Sequence, residues 1–238
     1  MTSIFRLINL ANIARVFRNI FKVGPITTFR YIVSDLLFDR RYQIDTINTE
    51  RLDNLEIDSP NKDSGTYYEG VNAYVFQKVF SGLQVNVSQS CFVDYGSGKG
   101  KAMCLAAELG FKKVIGIEFS LDLVEICRKN LEIFKLKSPS KSEFEVIHMD
   151  ATEYTLPPDA NVLSFFNPFN EAVTDQVIEK IMQSYTQTPR TVWVVHLYPQ
   201  GNEAFVKHPR FQLVRESNEG LIFRLVQNIF EKSYRGFA

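Results

Sequence analysis

Six positions in the middle of the chain have types and spacing that can do chemistry. Gly96, Gly98 and Gly100 stand in VDYGSGKGKA with Asp94 just ahead of them, Glu118 follows in VIGIEFS, and Asp150 in IHMDATEY. Glycine is costly to order and packs nothing, so three within five positions need a purpose. Their use is to let backbone approach a ligand with no Cβ in the way. The spacing is G-x-G-x-G, whereas the dinucleotide fingerprint needs G-x-G-x-x-G and would put its third glycine at Lys101. No nucleoside-triphosphate loop of the form G-x-x-x-x-G-K-[ST] occurs. Asp94 would also set an anion against a pyrophosphate. A carboxylate at that place suits a cationic or zwitterionic ligand.

S-adenosylmethionine is such a ligand, with a sulfonium and an ammonium beside its carboxylate. Asp94 and the glycine turn would face its methionine end. Glu118, closing the next strand, can accept from both ribose hydroxyls. Asp150, closing a third, can accept from an adenine amino group. The bland alternative for these acids is capping of helices at strand ends. Asn167, Pro168 and Phe169 end a fourth apolar run in FFNPF. Read from the residues alone, this is a strand-ending turn with a packed Phe at the same edge as the three acids. His196, after a fifth run, can take a proton from an oxygen acceptor or serve as a core histidine.

The elements that must position these residues follow from periodicity. From SCFVDYG onward, apolar runs alternate with helical patterns: KGKAMCLAAELG, KKVIGIEFS, LDLVEICRKNLEIFK, EFEVIHMD, NVLSFFNPF, EAVTDQVIEKIMQSY and RTVWVVHLYP. Continuous apolar strands between helices imply a mostly parallel sheet covered on both faces. FQLVRES and GLIFRLVQ add an antiparallel C-terminal pair. The fold class expected is therefore α/β, a Rossmann-like doubly wound sheet of seven strands with an N-terminal helical extension. Upstream, PITTFRYIVSDLLFDRRYQIDT reads as a helix ending near Asp39, and DTINTERLDNLEIDSPNKDSG as a long polar loop. The loop sets a boundary between an N-terminal part, residues 1–64, and a cofactor-binding domain, residues 65–238. Lys99 and Lys101 are expected at a helix start, with Lys101 toward solvent, and the Lys135–Lys141 stretch as a solvated loop.

Composition bounds the function classes. The chain has 238 residues, no net formal charge and 45% hydrophobic residues. It gives no strong nucleic-acid signal. Three cysteines and three histidines, scattered, offer no metal motif, so no metal is expected, and a reducing, cytoplasmic setting fits. Residues 1–34 hold Arg6, Arg15, Arg18, Lys22 and Arg30 and no acid. The first of these punctuate an amphipathic pattern, SIFRLINLANIARVFRNIFKV. Three readings stay open: a helix packed over the domain, a helix on an anionic membrane surface giving peripheral membrane association, or a targeting segment.

VDYGSGKGKA, VIGIEFS, HMDA and FFNPF together resemble, in order and spacing, the binding motifs of class I (seven-stranded) S-adenosylmethionine-dependent methyltransferases, over about residues 65–226. The resemblance implies S-adenosylmethionine as cofactor. It implies that Asp94, Gly96, Ser97 and Gly98 form the methionine end, that Glu118 holds the ribose with Phe119 beside the adenine, and that Asp150 and Ala151 meet the adenine edge. Tyr68 and Glu69 resemble upstream residues that close over the cofactor. FFNPF resembles the [ND]-P-P-[YF] motif of nitrogen methyltransferases, with one proline missing, which places Asn167, Pro168 and Phe169 at the methyl acceptor. Nitrogen methylation, of a protein lysine or a small amine, is slightly favoured over oxygen methylation of a small molecule or lipid. A nicotinamide-dependent oxidoreductase and a cofactor-binding module without catalysis remain as readings from other classes. No motif names the acceptor or an oligomeric state.

Overall fold

The computed structural model describes residues 20–227 apart from 22, 52–54 and 66–67. The basic N-terminal pattern expected as an amphipathic helix lies almost wholly outside the described residues. Seven strands form one sheet: β1 (Cys91–Tyr95), β2 (Lys113–Glu118), β3 (Glu143–His148), β4 (Ala160–Phe165), β5 (Trp193–Leu197), β6 (Phe211–Ser217) and β7 (Gly220–Leu225). Their order is β3-β2-β1-β4-β5-β7-β6. The first five are mutually parallel, and β7 enters antiparallel between β5 and β6. The expected seven-stranded doubly wound α/β fold is therefore present. The chain winds outward in one direction from β1 to β3, then starts again at β4 on the other side of β1. That reversal makes the carboxyl ends of β1 and β4 the switch point, where such sheets open a crevice.

Alternation along β1 shows how the strands serve two cores. Cys91, Val93 and Tyr95 face one layer with Leu163, Phe165, Val177 and Phe205, while Phe92 faces the other with Phe76, Phe80, Met103 and Phe134. Asp94 is set to the Phe92 side by the same period of two. The helices are α1 (Pro25–Tyr42), α2 (Ala73–Phe80), α3 (Lys101–Glu108), α4 (Leu121–Lys137), α5 (Glu171–Gln187) and the short α6 (Ala204–Lys207). Their starts are written in the sequence. Asn72, Ser120 and Asn170 each accept from the backbone N–H three residues on, capping α2, α4 and α5.

Three expectations need correction. α1 continues past Asp39 to Tyr42, because Gln43 in the left-handed region (φ 57°) ends it and Arg40 and Arg41 fill its last turn. Lys135 and Lys137 belong to the last turn of α4, so the loop there begins only at Ser138. Lys101 does not face solvent. It is 2% exposed, and its Nζ donates to Asp35 Oδ1 at 2.6 Å. Asp35 also accepts from Asn72 Nδ2 at 2.8 Å and from Ala73 N at 3.0 Å. One carboxylate of α1 thus joins the cap of α2 to the first residue of α3.

Removing one partner of a buried ion pair strands the other. Lys101→Met is expected to cost about 3–5 kcal/mol of stability in urea denaturation, and Asp35→Asn combined with Lys101→Met to recover most of that loss. Equal instability of the single and double variants would assign the cost to packing instead.

Candidate functional site

At the switch point the turn after β1 curls back on β2. Gly96 N and Ser97 N both donate to Ile117 O at 2.9 Å, and Gly98 N donates to Glu118 Oε2 at 2.8 Å. Gly100 N closes the turn on Ser97 O at 2.9 Å. These amides are spent inside the protein, whereas a dinucleotide fold turns such amides toward a pyrophosphate. The oxidoreductase reading loses its anchor on that geometry.

Two of the glycines are fixed by what lies against them. Gly96 has φ 74°, and a Cβ there would lie 2.5 Å from Pro168 Cβ. Gly98 has φ 53°, and a Cβ there would lie 2.2 Å from the ring of Tyr68. Glycine is needed at both for conformation and for space. The contacts also show what the turn brings together: the NPF turn after β4 on one side and the upstream Tyr68 on the other.

Tyr68 is held from three directions. Its hydroxyl donates to Thr46 O at 2.9 Å, its backbone pairs with Glu50, and Lys99 Nζ lies 5.3 Å from its ring centroid. Lys99, 1% exposed, also donates to Asn48 O at 3.0 Å and Glu50 Oε1 at 2.9 Å. Burial, with Asp39 and Asp45 nearby, pushes the Tyr68 phenol well above its ordinary range, so it stays a neutral donor.

A cleft opens between these parts. Tyr68, Glu69, Gly96, Glu118, Phe119, Asp150, Ala151, Pro168 and Phe169 line it, as the sequence led one to expect. Asp94, Ser97, Gly98 and Asn167 stand behind or between the lining residues. Asp94 is 3% exposed at the end of β1, in register with Ser164. Ser97 packs against Gly116, and Gly98 is covered by the Tyr68 ring. Asn167 sits in the left-handed region (φ 45°) between two lining residues, Phe166 and Pro168. Sequence reasoning did not single out Asn61, Gly65, Leu123, Met149, Phe166 or Val173, which also line the cleft. Met149 and Phe166 lay inside the quoted motifs. Leu123 and Val173 lie on the first turns of α4 and α5, where an apolar residue carries no signal beyond helix packing.

The acids divide into two kinds. Burial raises the Glu118 carboxyl, and amide donors at Ser120 and Gly98 oppose the rise. Its oxygens accept from Gly98 N and Ser120 N, with the Phe119 amide also favouring the carboxylate, which leaves acceptor capacity for a hydroxyl. Asp150 is more fully bonded. Its Oδ1 accepts from Thr152 N and Thr152 Oγ1, at 2.9 and 2.7 Å, and its Oδ2 from Asn61 Nδ2, at 3.0 Å, and from the Ser59 hydroxyl. Burial would raise this carboxyl, but those donors hold it below the ordinary carboxylate value. Four donors already meet its two oxygens, while the residue still lines the cleft. Asp150 anchors a strap. Residues 57–65 bridge Ser120 at Ile57 and Phe169 at Gly65, and so cross the cleft from the β2 side to the β4 side.

Of the two readings of His196, the structure has the core histidine. It is 1% exposed, its ring meets those of Phe165 and Phe205, and burial pulls its pKa down to about 4. Among the described residues no group of acids, histidines and cysteines has the arrangement of a metal site, and no helix is long and apolar enough to cross a membrane.

A family model described as "Histone methylation protein DOT1" matches residues 58–203. In structure the chain is similar to a Haemophilus influenzae protein described as a methylase, at 19% identity and TM-score 0.51, over 65% of this chain and 98% of that one. That likeness shows the shared fold. An RNA methyltransferase from Salinibacter ruber, in complex with S-adenosyl-L-homocysteine, matches at 20% identity and TM-score 0.47 over 64% of this chain and 89% of that one. A tRNA (uracil-54, C5)-methyltransferase from Pyrococcus abyssi matches at 19% and 0.48, over 76% and 45%. No curated protein matches the chain.

The site fits the zwitterionic, ribose-bearing cofactor expected from the sequence. It offers the Glu118 carboxyl as an acceptor and an apolar slot at Phe119, Leu123 and Met149, with Asp94 buried behind the glycine turn. Burial pushes Asp94 up to about 8, against the Ser164 hydroxyl and with help from Glu118. In the free protein Asp94 is therefore protonated at neutral pH, and a cationic ligand must displace that proton. Affinity for S-adenosylmethionine should rise about tenfold per pH unit up to roughly 8 and then level, because one proton leaves per ligand bound. Calorimetry across this range checks it. Asp94→Asn should flatten the profile, and a flat profile in the unsubstituted protein would show that binding releases no proton from Asp94.

Proposed function

We propose, for a chain that belongs to the DOT1 family of histone methylation proteins and is an S-adenosylmethionine-dependent methyltransferase, that the methyl acceptor is an amine nitrogen, best a lysine side chain of a protein. The observation that carries this reading is the contact of Pro168 with Gly96, which sets the NPF turn against the cofactor loop on one wall of the cleft. S-adenosylmethionine, when bound, supplies an electrophilic methyl group.

The chain's own residues have to bring a lone pair to that carbon. Asn167, at φ 45°, takes the left-handed conformation that asparagine adopts readily, two residues after the buried β4, and so turns the chain there. The Asn167 amide oxygen and the Pro168 carbonyl are acceptors that can orient an N–H without adding charge. With the cofactor bound, Asn167 and Pro168 would present the lone pair of a neutral amine to its methyl group, and the proton that the amine sheds on transfer would leave to solvent. Phe166 and Phe169 supply the apolar walls, which favour the neutral form of the incoming amine. Glu69, which also lines the cleft, gives it a carboxylate that attracts a protonated lysine from solution. Oxygen acceptors lose support, since His196 is enclosed in the core.

Asn167→Ala should leave cofactor affinity within about threefold and lower turnover roughly 100-fold, the scale expected when a reacting atom is misplaced by an ångström. Asn167→Asp should depress turnover at neutral pH and recover part of it as pH rises, because a carboxylate stabilises the protonated amine. Transfer of labelled methyl groups to lysine-bearing peptides, read against cofactor binding by calorimetry, checks both. Proportional loss of binding and turnover in Asn167→Ala would make Asn167 a cofactor or structural residue and overturn the reading.

A further inference from the structure

The outer face of α1 is apolar and basic. Ile26, Phe29 and Leu37 are 73%, 67% and 60% exposed, and half-buried Val33 falls between them on the same stripe. At 3.6 residues per turn, Arg30 and Arg40 lie on this stripe, and both are exposed. Arg41 flanks it, tied to Glu108 at 3.3 Å. The helix's two acids, Asp35 and Asp39, are on the opposite side. Asp35 meets Lys101, and Asp39 accepts from Thr46 N at 2.8 Å. Sorting every acid inward and leaving three large apolar side chains in water is unusual for a monomer's surface. Just upstream, Phe21 is 88% exposed, and the first 34 residues carry five basic side chains and no acid.

We propose that α1 docks the protein on an anionic lipid surface, with Ile26, Phe29, Val33 and Leu37 in the headgroup–acyl boundary and Arg30 and Arg40 against lipid phosphates. An apolar stripe flanked by cations, with no acid among them, has the chemistry of an interfacial helix. A second copy of the chain is a poorer occupant. Two-fold pairing would bring Arg30 and Arg40 of each copy against the same residues of the other. Charge complementarity favours phosphate.

The test is flotation of the full chain with phosphatidylcholine–phosphatidylserine vesicles and with phosphatidylcholine alone. The protein should float only with the first, and less in high salt. Phe29→Glu with Leu37→Glu should lower partitioning at least about tenfold. Arg30→Gln with Arg40→Gln should lower it about fivefold per side chain. Thermal unfolding of both variants should match the parent, since the side chains are exposed. No flotation of the parent, or flotation indifferent to both variants, overturns the proposal. So does a dimer in sedimentation equilibrium that Phe29→Glu with Leu37→Glu dissociates while vesicle binding is absent. If the parent fails to float and deletion of residues 2–19 creates binding, those residues cover the stripe and the proposal also fails.

Discussion

The Asp35–Lys101 pair, buried at both ends, is the constraint on which the site depends. Lys101 opens the helix that follows the glycine turn, and Asp35 sits in the middle of α1. Their bond ties a helix from before the sheet to the loop that faces the cofactor. Two residues earlier, Lys99 makes a parallel attachment to Asn48 and Glu50, and Glu50 pairs with Tyr68. Tyr68 then covers Gly98. The two lysines of the glycine motif therefore hold the upstream segment, and with it one wall of the cleft, against the sheet. Because both ammonium groups are out of water, each needs its partner, which gives the attachment direction as well as strength.

From that attachment the rest of the site follows. The upstream chain leaves Glu50 and crosses the carboxyl edge of the sheet at residues 57–65, where Asp150 and Phe169 hold it. The strap and Tyr68 leave room only beneath themselves, along the ends of β1, β2 and β4. Gly96 is exposed there while its neighbours Tyr95, Ser97 and Gly98 are buried. The one side where the loop backbone meets the cleft is the side where the NPF turn arrives. The glycine turn and the NPF turn are thus neighbours by packing, through Gly96 and Pro168.

Much of this was legible in the sequence because strands buried on both faces read as apolar runs, and their ends read as the polar residues that interrupt them. Asp94, Glu118, Asp150 and Asn167 were found by that rule, and all four lie at strand ends. The rule places a residue and says nothing of what its side chain already holds. Asp150 shows the limit. Its donors Ser59 and Asn61 are about ninety positions away in the chain, in a segment whose composition signals only a loop. Lys101 shows another. A lysine at a helix start belongs in water unless a distant carboxylate is brought to it, and Asp35 lies 66 residues upstream. His196, by contrast, sits within β5, where both flanking residues are buried, so burial was the ordinary outcome for a position inside such a strand.

The central claim is that the cofactor lies under residues 57–65 and against the glycine turn. Hydrogen exchange in the presence and absence of S-adenosylhomocysteine tests it most directly. Slowed exchange is expected in residues 57–65, 96–100, 117–121 and 149–152, with little change in β6 and β7 at the far edge of the sheet. Tight binding that leaves residues 57–65 and the glycine turn unprotected would contradict the account and place the ligand elsewhere on the protein.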